Sequence, residues 1–429
     1  MNTGSMSEKT RIDVLVVGGG ASGMMAALQA ARAGARVLLL EKNEKLGKKI
    51  YITGKGRCNV TNIAERDEFL RQVPRNPRFL YAALSGFDNR DMVELLAGLG
   101  CETKEERGGR VFPVSDHASD VTRALSRGLN EAGAQVQLNT GVSGIRPAGS
   151  GFEVSLTEGG SLFAGTVIIA TGGISYPSTG STGDGYRFAR ENGHAVTPLR
   201  GALVGLSSQE KWPMLLQGLS LKNVRVSCKV GKKMIYDELG EMLFTHFGFS
   251  GPLFIELSSH LPEDISQADI RLDMKPGMTP EEVDARLIRE LADNPKRQIS
   301  SMLQTLMPVR MAAVFAKLCG LDPDAPASSV NRVQRRAIAD NLKAMRIPAD
   351  GLRPVDEAIV TRGGVDVKSV NASTMMSRVT PGLFFAGEVL DVDAHTGGFN
   401  LQIAFSTGAL AGRSAATYAA KQEDSHAER

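Results

Sequence analysis

The chain has 429 residues, a length that favours two or three domains rather than one. Hydrophobic residues make up 42% of the sequence and charged residues 23%, as in an ordinary globular protein with a substantial core. The net charge of only +3 gives no reason to expect a nucleic-acid or membrane partner.

The predicted elements begin with a β-α-β unit. A buried strand over 12–17 leads into a helix over 21–33, and a second strand follows over 36–40. This is the size expected of a mononucleotide-binding half. Apolar spacing and turn residues predict the next elements: a helical stretch over 74–100, helices over 119–132 and 185–193, strands over 110–113, 135–138 and 166–170, and a hairpin over 152–163.

The composition changes at about residue 197. Short alternating segments predict β structure, and 280–345 is predicted to be almost wholly helical after a capping box at 279–282. The first pattern resumes with a strand over 383–386 and a long Ala-rich helix over 400–420. We therefore predict a split core with an insert: 11–196 and 354–421 for the core, 197–278 with 346–353 for a β-rich part of the insert, 279–345 for its helical part, and flexible tails at 1–10 and 422–429.

Cysteine spacing and the first apolar run bear on the compartment. The four cysteines are spread along the chain: Cys58, Cys101, Cys228 and Cys319. Without a CxxC pair they argue against a zinc site or a dithiol motif and favour a reducing, cytoplasmic setting. The apolar run over 12–17 is too short for a membrane span or a signal-peptide core.

The first motif is a GxGxxG turn between the first strand and helix, formed by Gly18, Gly20 and Gly23 with Ala21 and Ser22 between them. These glycines allow a tight turn, close approach of the backbone to a pyrophosphate, and close helix–strand packing. The helix N-terminus favours the phosphate charge. A carboxylate ends the second strand and is placed to accept from ribose hydroxyls: Glu41. The alternative is a glycine-rich turn of an unrelated α/β fold.

The second motif is a basic, glycine-rich loop over 47–59. Such a loop can run close to a flat ligand and present donors to phosphate or to a flavin ring. Its candidate cofactor contacts, with one lysine that precedes it, are Lys42, Lys49, Thr53, Gly54, Gly56, Arg57, Cys58 and Asn59. The alternative is a basic surface turn, and packing is the more usual role of a lone thiol beside a cofactor.

The third motif is a strand that ends in Ala170, Thr171, Gly172 and Gly173, a pattern that commonly returns the chain to the flavin side. The polar, glycine-rich segment over 175–185 follows. We interpret it as the mouth of the site; the alternative is a mobile surface loop.

The fourth motif lies between the strand over 383–386 and the last helix. Three carboxylates are candidates for binding ribityl or ribose hydroxyls: Glu388, Asp391 and Asp393. Further backbone contacts are expected from Gly387, Gly397, Gly398, Asn400, Leu401 and Gln402. The spacing of the carboxylates on one loop without a histidine pair argues against a metal. His395 suits proton transfer, with a structural role as the favoured alternative.

Four segments together resemble one known family: GGGASGMMAA, KLGKKIYITGKGRCNVTN, ATGGISYPSTGSTGDGY and FFAGEVLDVDAHTGGFNLQIAFSTG. They look like the BaiN-like (YhiN-like) NAD(P)/FAD-dependent oxidoreductases. The resemblance implies an α/β fold with a Rossmann-like FAD-binding domain of the two-dinucleotide-binding flavoprotein type, split by an inserted β-barrel-like plus helical domain. It also implies that FAD binds through the four motifs.

Members of this family are linked to three reactions: reduction of conjugated steroid double bonds, formation of dihydrouridine in ribosomal RNA, and amine oxidation. We favour an NAD(P)H-driven reductase of an activated C=C bond in a small molecule. NAD(P)H then binds transiently, because no second strand–GxGxxG–helix unit is visible. The candidate catalytic residues are Lys49, Arg57, Tyr176 and His395. The alternatives are an RNA-modifying flavoenzyme, an amine oxidase and a non-catalytic FAD redox sensor.

Overall fold

The computed structural model describes residues 12–293 and 295–427. Contacts divide the chain into two compact units. Among the described residues, the first unit contains those up to Gly201 and those from Val355 onward, and the second lies within Ala202–Pro354.

The first unit begins with short strands and helices in alternation. Its strands before the insert are β1 (Ile12–Val17), β2 (Val37–Leu40), β3 (Thr61–Asn62), β4 (Thr103–Glu106), β5 (Arg110–Pro113), β6 (Gln135–Gln137), β7 (Val142–Ala148), β8 (Gly151–Leu156), β9 (Ser161–Ile169) and β10 (Arg200–Ala202). The helices are α1 (Ala21–Arg32), α2 (Arg66–Arg71), α3 (Tyr81–Gly86), α4 (Asn89–Gly98), α5 (Ala118–Glu131) and α6 (Asp184–Glu191).

The stretch over 74–100, predicted as helical, is broken into several pieces. A 3-10 turn over Pro77–Leu80 follows Asn76, whose φ of 52° is left-handed and interrupts any helix. A new helix then begins after Asp88, which forms a capping box with Asp91. Apolar spacing alone predicts one helical stretch over 74–100, whereas the left-handed Asn76 and the capping box at Asp88 divide it into separate helices.

The second unit combines an antiparallel sheet with helices. Its strands are β11 (Leu206–Ser207), β12 (Ser220–Val230), β13 (Lys233–Phe244), β14 (Gly248–Ser250), β15 (Ala268–Asp273), β16 (Met345–Arg346) and β17 (Gly351–Leu352). They pair in the order β16-β15-β12-β13-β14-β11-β17. The helices are α7 (Trp212–Leu215), α8 (Pro252–Ser258), α9 (Pro280–Asp293), α10 (Ile299–Leu303), α11 (Val309–Leu318) and α12 (Arg332–Ala344).

The capping box predicted at 279–282 is confirmed. The Thr279 N–H donates to the Glu282 carboxylate at 2.8 Å, and the Glu282 N–H donates to the Thr279 hydroxyl at 3.2 Å. Proline at the first helical position fits because it lacks only a donor that the helix would leave unused. This local pattern alone fixes where α9 begins.

The first unit resumes with β18 (Val360–Arg362), β19 (Leu383–Phe385) and α13 (Phe399–Ala427). The main sheet has the order β6-β2-β1-β9-β8-β7, and β19 also pairs with β9. β6, β2, β1, β9 and β19 run parallel to one another, whereas β8 pairs antiparallel with β9 and with β7. The predicted α/β class with a Rossmann-like core is confirmed.

Helix α13 continues beyond the end predicted at residue 420, and 422–427, expected to be a flexible tail, belongs to its last turns. Good helix formers such as Lys421 and Gln422 follow the alanines, so the helix has no local reason to stop. Residues 1–10, expected to be the other tail, lie outside the described residues.

Helix α13 packs against α1 through small residues. A Cβ added to Gly408 would lie 2.4 Å from the Ser22 carbonyl oxygen, and one added to Gly412 would lie 2.2 Å from that of Ala26. The two backbones therefore meet without intervening side chains, and the start of α1 is fixed against the C-terminal segment.

Candidate active site

A cleft in the first unit lies where β1, β2 and β9 end at their carboxyl edge, the position at which open α/β sheets bind ligands. It encloses about 1280 Å³ of space free of protein atoms, its open mouth included. Segments from all four sequence motifs line it. The predicted cofactor residues in this lining are Gly18, Gly20, Ala21, Ser22, Glu41, Lys42, Lys49, Thr53, Ala170, Thr171, Gly172, Glu388, Asn400 and Leu401.

The three glycines of the GxGxxG turn have different roles. A Cβ on Gly18, whose φ is +104°, would lie 2.6 Å from the Ala170 carbonyl oxygen. One on Gly23 would lie 1.8 Å from the Gly18 carbonyl oxygen, so both glycines serve close packing. Gly20 is different, because apart from its immediate chain neighbours no described atom lies within 4 Å of its Cβ position. Its open side faces the cleft at the start of α1, where a phosphate group is favoured.

Glu41 is buried and held in place by three donors. Its Oε2 accepts from the Gly19 N–H at 2.7 Å. Its Oε1 accepts from the Asn43 N–H at 2.8 Å and from the Asn43 side-chain amide at 2.6 Å. The carboxylate is therefore preorganised beside the glycine turn, as a ribose-binding acid must be.

Lys49 links three of the motifs inside the cleft. Its Nζ lies 2.7 Å from Glu388 Oε2 and 3.0 Å from Oε1, and donates to the Ser175 hydroxyl at 2.6 Å. Glu388 Oε1 also accepts from the Thr361 N–H at 2.7 Å. Both charged side chains are mostly buried, so this pair is a fixed polar wall rather than a surface ion pair.

The residues present fit a bound FAD. Thr171 Oγ1 is buried in the cleft lining and has no hydrogen-bond partner among the described residues. A buried hydroxyl without a partner is unfavourable and indicates that a ligand group completes its bonding. The open space beside Gly20 suits the pyrophosphate of a dinucleotide, and the fixed carboxylate of Glu41 suits its ribose, at the same edge of the sheet.

Several predicted cofactor residues lie outside the cleft lining: Gly23, Gly54, Gly56, Arg57, Cys58, Asn59, Gly173, Gly387, Asp391, Asp393, Gly397, Gly398 and Gln402. Close packing explains several of the glycines. A Cβ on Gly398 would lie 2.3 Å from the Thr61 carbonyl oxygen, and one on Gly387 would lie 2.4 Å from the Ser22 hydroxyl. The absence of a side chain at these glycines allows close packing of neighbouring segments.

Arg57 binds other protein groups instead of facing the cleft. It forms ion pairs with Glu106 at 2.8 Å and with Asp116 at 3.1 Å. Its guanidinium also stacks over the Phe112 ring, 4.0 Å from the centroid. The geometry gives Arg57 a structural role in holding the loop over 47–59 against β5.

Cys58 is fully buried, and burial raises the pKa of its thiol to about 12. Thiol reactivity depends on the thiolate, which is scarce at neutral pH when the pKa is this high. Packing therefore accounts for Cys58.

His395 and Tyr176 also lie outside the cleft lining. The His395 N–H donates to the Gln72 carbonyl at 2.9 Å, and its ring Nδ1 lies 3.0 Å from the Gln72 side-chain oxygen. Burial lowers the pKa of His395, so the ring is neutral at physiological pH and is a poor proton donor. Tyr176 takes a left-handed φ of 52° at the start of a short 3-10 turn.

Other lining residues were not singled out from the sequence. The segment over 179–181, part of the predicted mouth over 175–185, also lines the cleft. Asn43, Thr140, Ile359 and Val360 contribute as well. Ile359 and Val360 follow the insert and carry no motif, so only the fold brings them here.

A charged cluster that the sequence did not indicate surrounds the two remaining acids of the fourth motif. Arg75 forms an ion pair with buried Asp391 at 2.8 Å. Burial raises the pKa of Asp393 to about 6, against the opposing effect of Arg362 and Arg75. Burial also lowers the pKa of Arg362 to about 10, and nearby Arg200 lowers it further.

The described residues contain neither a metal-binding cluster nor a membrane-spanning helix. Across residues 12–293 and 295–427, no group of three or more His, Cys, Asp or Glu side chains is arranged to hold a metal ion. Within the same part of the chain, no helix is both long and apolar enough to cross a bilayer.

Comparison with known proteins places this architecture in a family. A family model described as HI0933-like protein Rossmann domain matches residues 12–414. The 3-dehydro-bile acid delta(4,6)-reductase of Clostridium scindens is 33% identical over 94% of this chain and 98% of its own length. The ribosomal RNA dihydrouridine synthase of Escherichia coli is 31% identical over 92% of this chain and 96% of its own length.

A solved structure shares the fold at lower identity. The 3-ketosteroid delta1-dehydrogenase of Sterolibacterium denitrificans superimposes with a TM-score of 0.53 and 16% identity, covering 95% of this chain and 99% of its own. The predicted family resemblance is confirmed: the chain belongs to the HI0933-like Rossmann family of FAD-dependent oxidoreductases.

Proposed function

We propose that the protein reduces a C=C bond conjugated to a carbonyl group in a small molecule, with NAD(P)H as the electron donor. The observation that carries the proposal is the FAD-type cleft in a chain whose relatives' names share one chemistry. A 3-dehydro, delta(4) steroid is an unsaturated ketone, and dihydrouridine is uridine whose C=C bond next to a carbonyl has been saturated. Both names therefore describe two-electron reduction of a polarised double bond.

Chain segments that lie far apart in the sequence would hold the cofactor. The free N–H groups at the start of α1, beside Gly20, would bind the pyrophosphate, and Glu41 would accept from the adenosine ribose. Glu388, which is paired with Lys49, would bind hydroxyl groups farther along the cleft. The N–H groups of Asn400 and Leu401 at the start of α13 favour negative charge at that end.

FAD bound in this cleft would supply hydride-transfer chemistry. The protein's part is to orient the two partners and to exclude water from the cleft. The apolar wall near the start of α13, formed by Ile359, Val360 and Ile403, suits a planar ring system.

A second candidate is reduction of uracil in RNA, which the relative at 31% identity favours. The second unit exposes basic side chains on or beside its helices: Lys296, Arg297, Arg332 and Arg336. Some of its other arginines are engaged within the protein, since Arg335 pairs with Asp284 at 2.8 Å. Such a surface would bind phosphates in a strongly salt-dependent way.

An anaerobic experiment tests these proposals. The protein loaded with FAD is mixed with NADPH or NADH, and bleaching of the flavin band is followed. Cyclic enones, total RNA or amines are then offered separately. Bleaching by a nicotinamide followed by reoxidation with an enone supports the proposal. Reoxidation by RNA alone, lost at high salt, supports the second candidate. Bleaching by an amine without nicotinamide would contradict both.

A further inference from the structure

In the part of the chain that the structure describes, the charged side chains that line the cleft fall into two groups. The first group lies at one end of the cleft and consists of Glu41, Lys42, Lys48 and Asp184. Lys48 donates to the Asn43 side chain, which in turn donates to Glu41. Lys42 directly follows Glu41 and pairs with Asp184 at 2.7 Å. The second group is the ion pair of Lys49 and Glu388.

Hydrogen bonds tie this ion pair to the apolar wall of the cleft. Lys49 Nζ donates to the Ser175 hydroxyl at 2.6 Å, and that hydroxyl lies 3.5 Å from the Ile359 carbonyl oxygen. Glu388 Oε1 accepts from the Thr361 N–H at 2.7 Å. Ile359 belongs to the apolar wall that suits a planar ring system. The pair therefore lies beside that wall and makes its contacts there, apart from the polar group around Glu41.

The pair is fixed, mostly buried and balanced in charge. Ser175 is fully buried, and the side chains of Lys49 and Glu388 are only 24% and 20% exposed. Both charged side chains line the cleft, so each lies next to the space that a cofactor would fill. Charges in such a partly desolvated place interact more strongly than in bulk water. Removal of either partner would leave one uncompensated charge on this wall.

The charge on this wall bears on the electron affinity of a flavin. A flavin ring that accepts two electrons and one proton gains one unit of negative charge. A nearby positive charge therefore stabilises the reduced ring relative to the oxidised ring, and a nearby negative charge does the opposite. The reduction potential in turn decides which donors can reduce the cofactor and which acceptors the reduced cofactor can serve.

We propose that Lys49 and Glu388 set the reduction potential of the bound cofactor, Lys49 by favouring its reduced form and Glu388 by opposing it. The pair holds the potential between the values that either charge would give without its partner. This inference rests on FAD as the cofactor, and not on the electron donor or the acceptor proposed above. It assigns a function to the charges themselves, beyond any hydrogen bond that Glu388 gives to the cofactor's hydroxyl groups.

Reduction potentials of the FAD-loaded protein and its variants test this inference. Each protein is reduced stepwise without oxygen beside a reference dye, and the flavin absorbance gives the ratio of reduced to oxidised cofactor. Lys49→Met should lower that ratio about tenfold at a given potential, a shift of about 30 mV for a two-electron couple. Glu388→Gln should raise the ratio by a similar factor. The variant with both substitutions has a neutral wall again, so its potential should lie near that of the parent.

The adjacent lysine provides the matched control. Lys48→Met removes the same charge one residue away, but Lys48 contacts Asn43 and Glu44 and should leave the potential unchanged. Lys49→Arg keeps the charge and should also stay near the parent. Lys49→Gln, which retains a donor for Glu388, gives the same test if Lys49→Met does not retain FAD. Equal potentials for Lys48→Met and Lys49→Met, or shifts of one sign in Lys49→Met and Glu388→Gln, would overturn the inference.

Turnover with enones separates this inference from the proposed function. If the potentials shift as expected but no enone reoxidises the reduced protein, the proposed function fails and the role of the ion pair stands. If enones are reduced and all variants have the potential of the parent, the function stands and the role of the pair fails. Gel filtration before each measurement removes free FAD, so that every potential belongs to bound cofactor.

Discussion

At the scale of single residues, Glu41 shows how a ligand-binding side chain is prepared before its ligand arrives. Gly19 donates to one of its carboxylate oxygens and Asn43 to the other. Because the Glu41 side chain is already fixed, it loses little conformational entropy when a ligand binds. Glu41→Gln replaces one accepting oxygen with a donor that faces the Gly19 N–H. We expect FAD affinity to fall by about 1.5–3 kcal/mol, the value of a hydrogen bond to a charged group.

Fluorescence titration of the apoprotein with FAD measures this change. Glu153→Gln, on an exposed position of β8, is the matched control and should leave affinity unaltered. Equal dissociation constants for the two variants would contradict the ribose-binding role.

Asp393 gives a second residue-scale prediction, now for stability. Its pKa of about 6 in the folded chain is above the ordinary value of 3.8, so the folded state holds the proton more tightly than the unfolded state. Its contribution to stability is therefore complete below pH 3.8 and is lost as the pH rises through about 6. Between these values, the unfolding free energy should fall by up to about 1.4 kcal/mol per pH unit.

Urea unfolding at several pH values measures this slope. Asp393→Asn should remove it, so that the variant gains stability relative to the parent as the pH rises, whereas Asp67→Asn at an exposed position should not. A parallel dependence in the parent and the Asp393→Asn variant would show that Asp393 titrates normally.

At the scale of elements, the turn between β1 and α1 separates packing from binding. Gly23→Ala would place a methyl group 1.8 Å from the Gly18 carbonyl oxygen and force the helix away from the turn. We expect a loss of about 1–3 kcal/mol of unfolding free energy, the usual cost of overpacking. Gly20→Ala meets open space and should change stability by no more than about 1 kcal/mol.

The Gly20→Ala substitution, which should hardly change stability, should instead lower FAD affinity. The Gly20→Ala methyl group lies where the pyrophosphate would approach, so FAD binding should weaken by about tenfold or more while the apoprotein stays folded. Thermal unfolding of the Gly23→Ala and Gly20→Ala apoproteins measures their stability, and titration of each with FAD measures its cofactor affinity. If Gly20→Ala bound FAD normally, the phosphate would lie elsewhere.

At the scale of the whole molecule, the cleft joins segments from both ends of the chain. Lining residues run from Val17 to Ala404, so FAD would bridge α1 and the first turn of α13. Binding should stabilise the folded state by about 2.7 kcal/mol at a hundredfold excess over the dissociation constant. Hydrogen exchange should slow in both the 18–23 and 399–404 segments and stay the same in α9. Protection in only one segment would contradict a bridging cofactor.

The sequence could predict the parts of this architecture that depend on neighbours along the chain. The strand–glycine–helix unit, the α9 capping box and Glu41 are local patterns with local physical causes. The sequence could not predict contacts between residues that lie far apart along the chain. Lys49 contacts Glu388, 339 positions away in the sequence, and Arg57 pairs with Glu106 at the end of β4. The arginines around Asp393 likewise come from three separate segments.

The contact between α1 and α13 means that the C-terminal helix must be synthesised before the cofactor can bind. Gly408 and Gly412 lie directly on Ser22 and Ala26, and the first turn of α13 completes the cleft that α1 begins. A growing chain on the ribosome therefore presents its glycine turn long before the opposite wall exists. Cofactor loading must follow synthesis of residues 399–412, and until then the nascent N-terminal half has a phosphate-binding turn without a complete pocket.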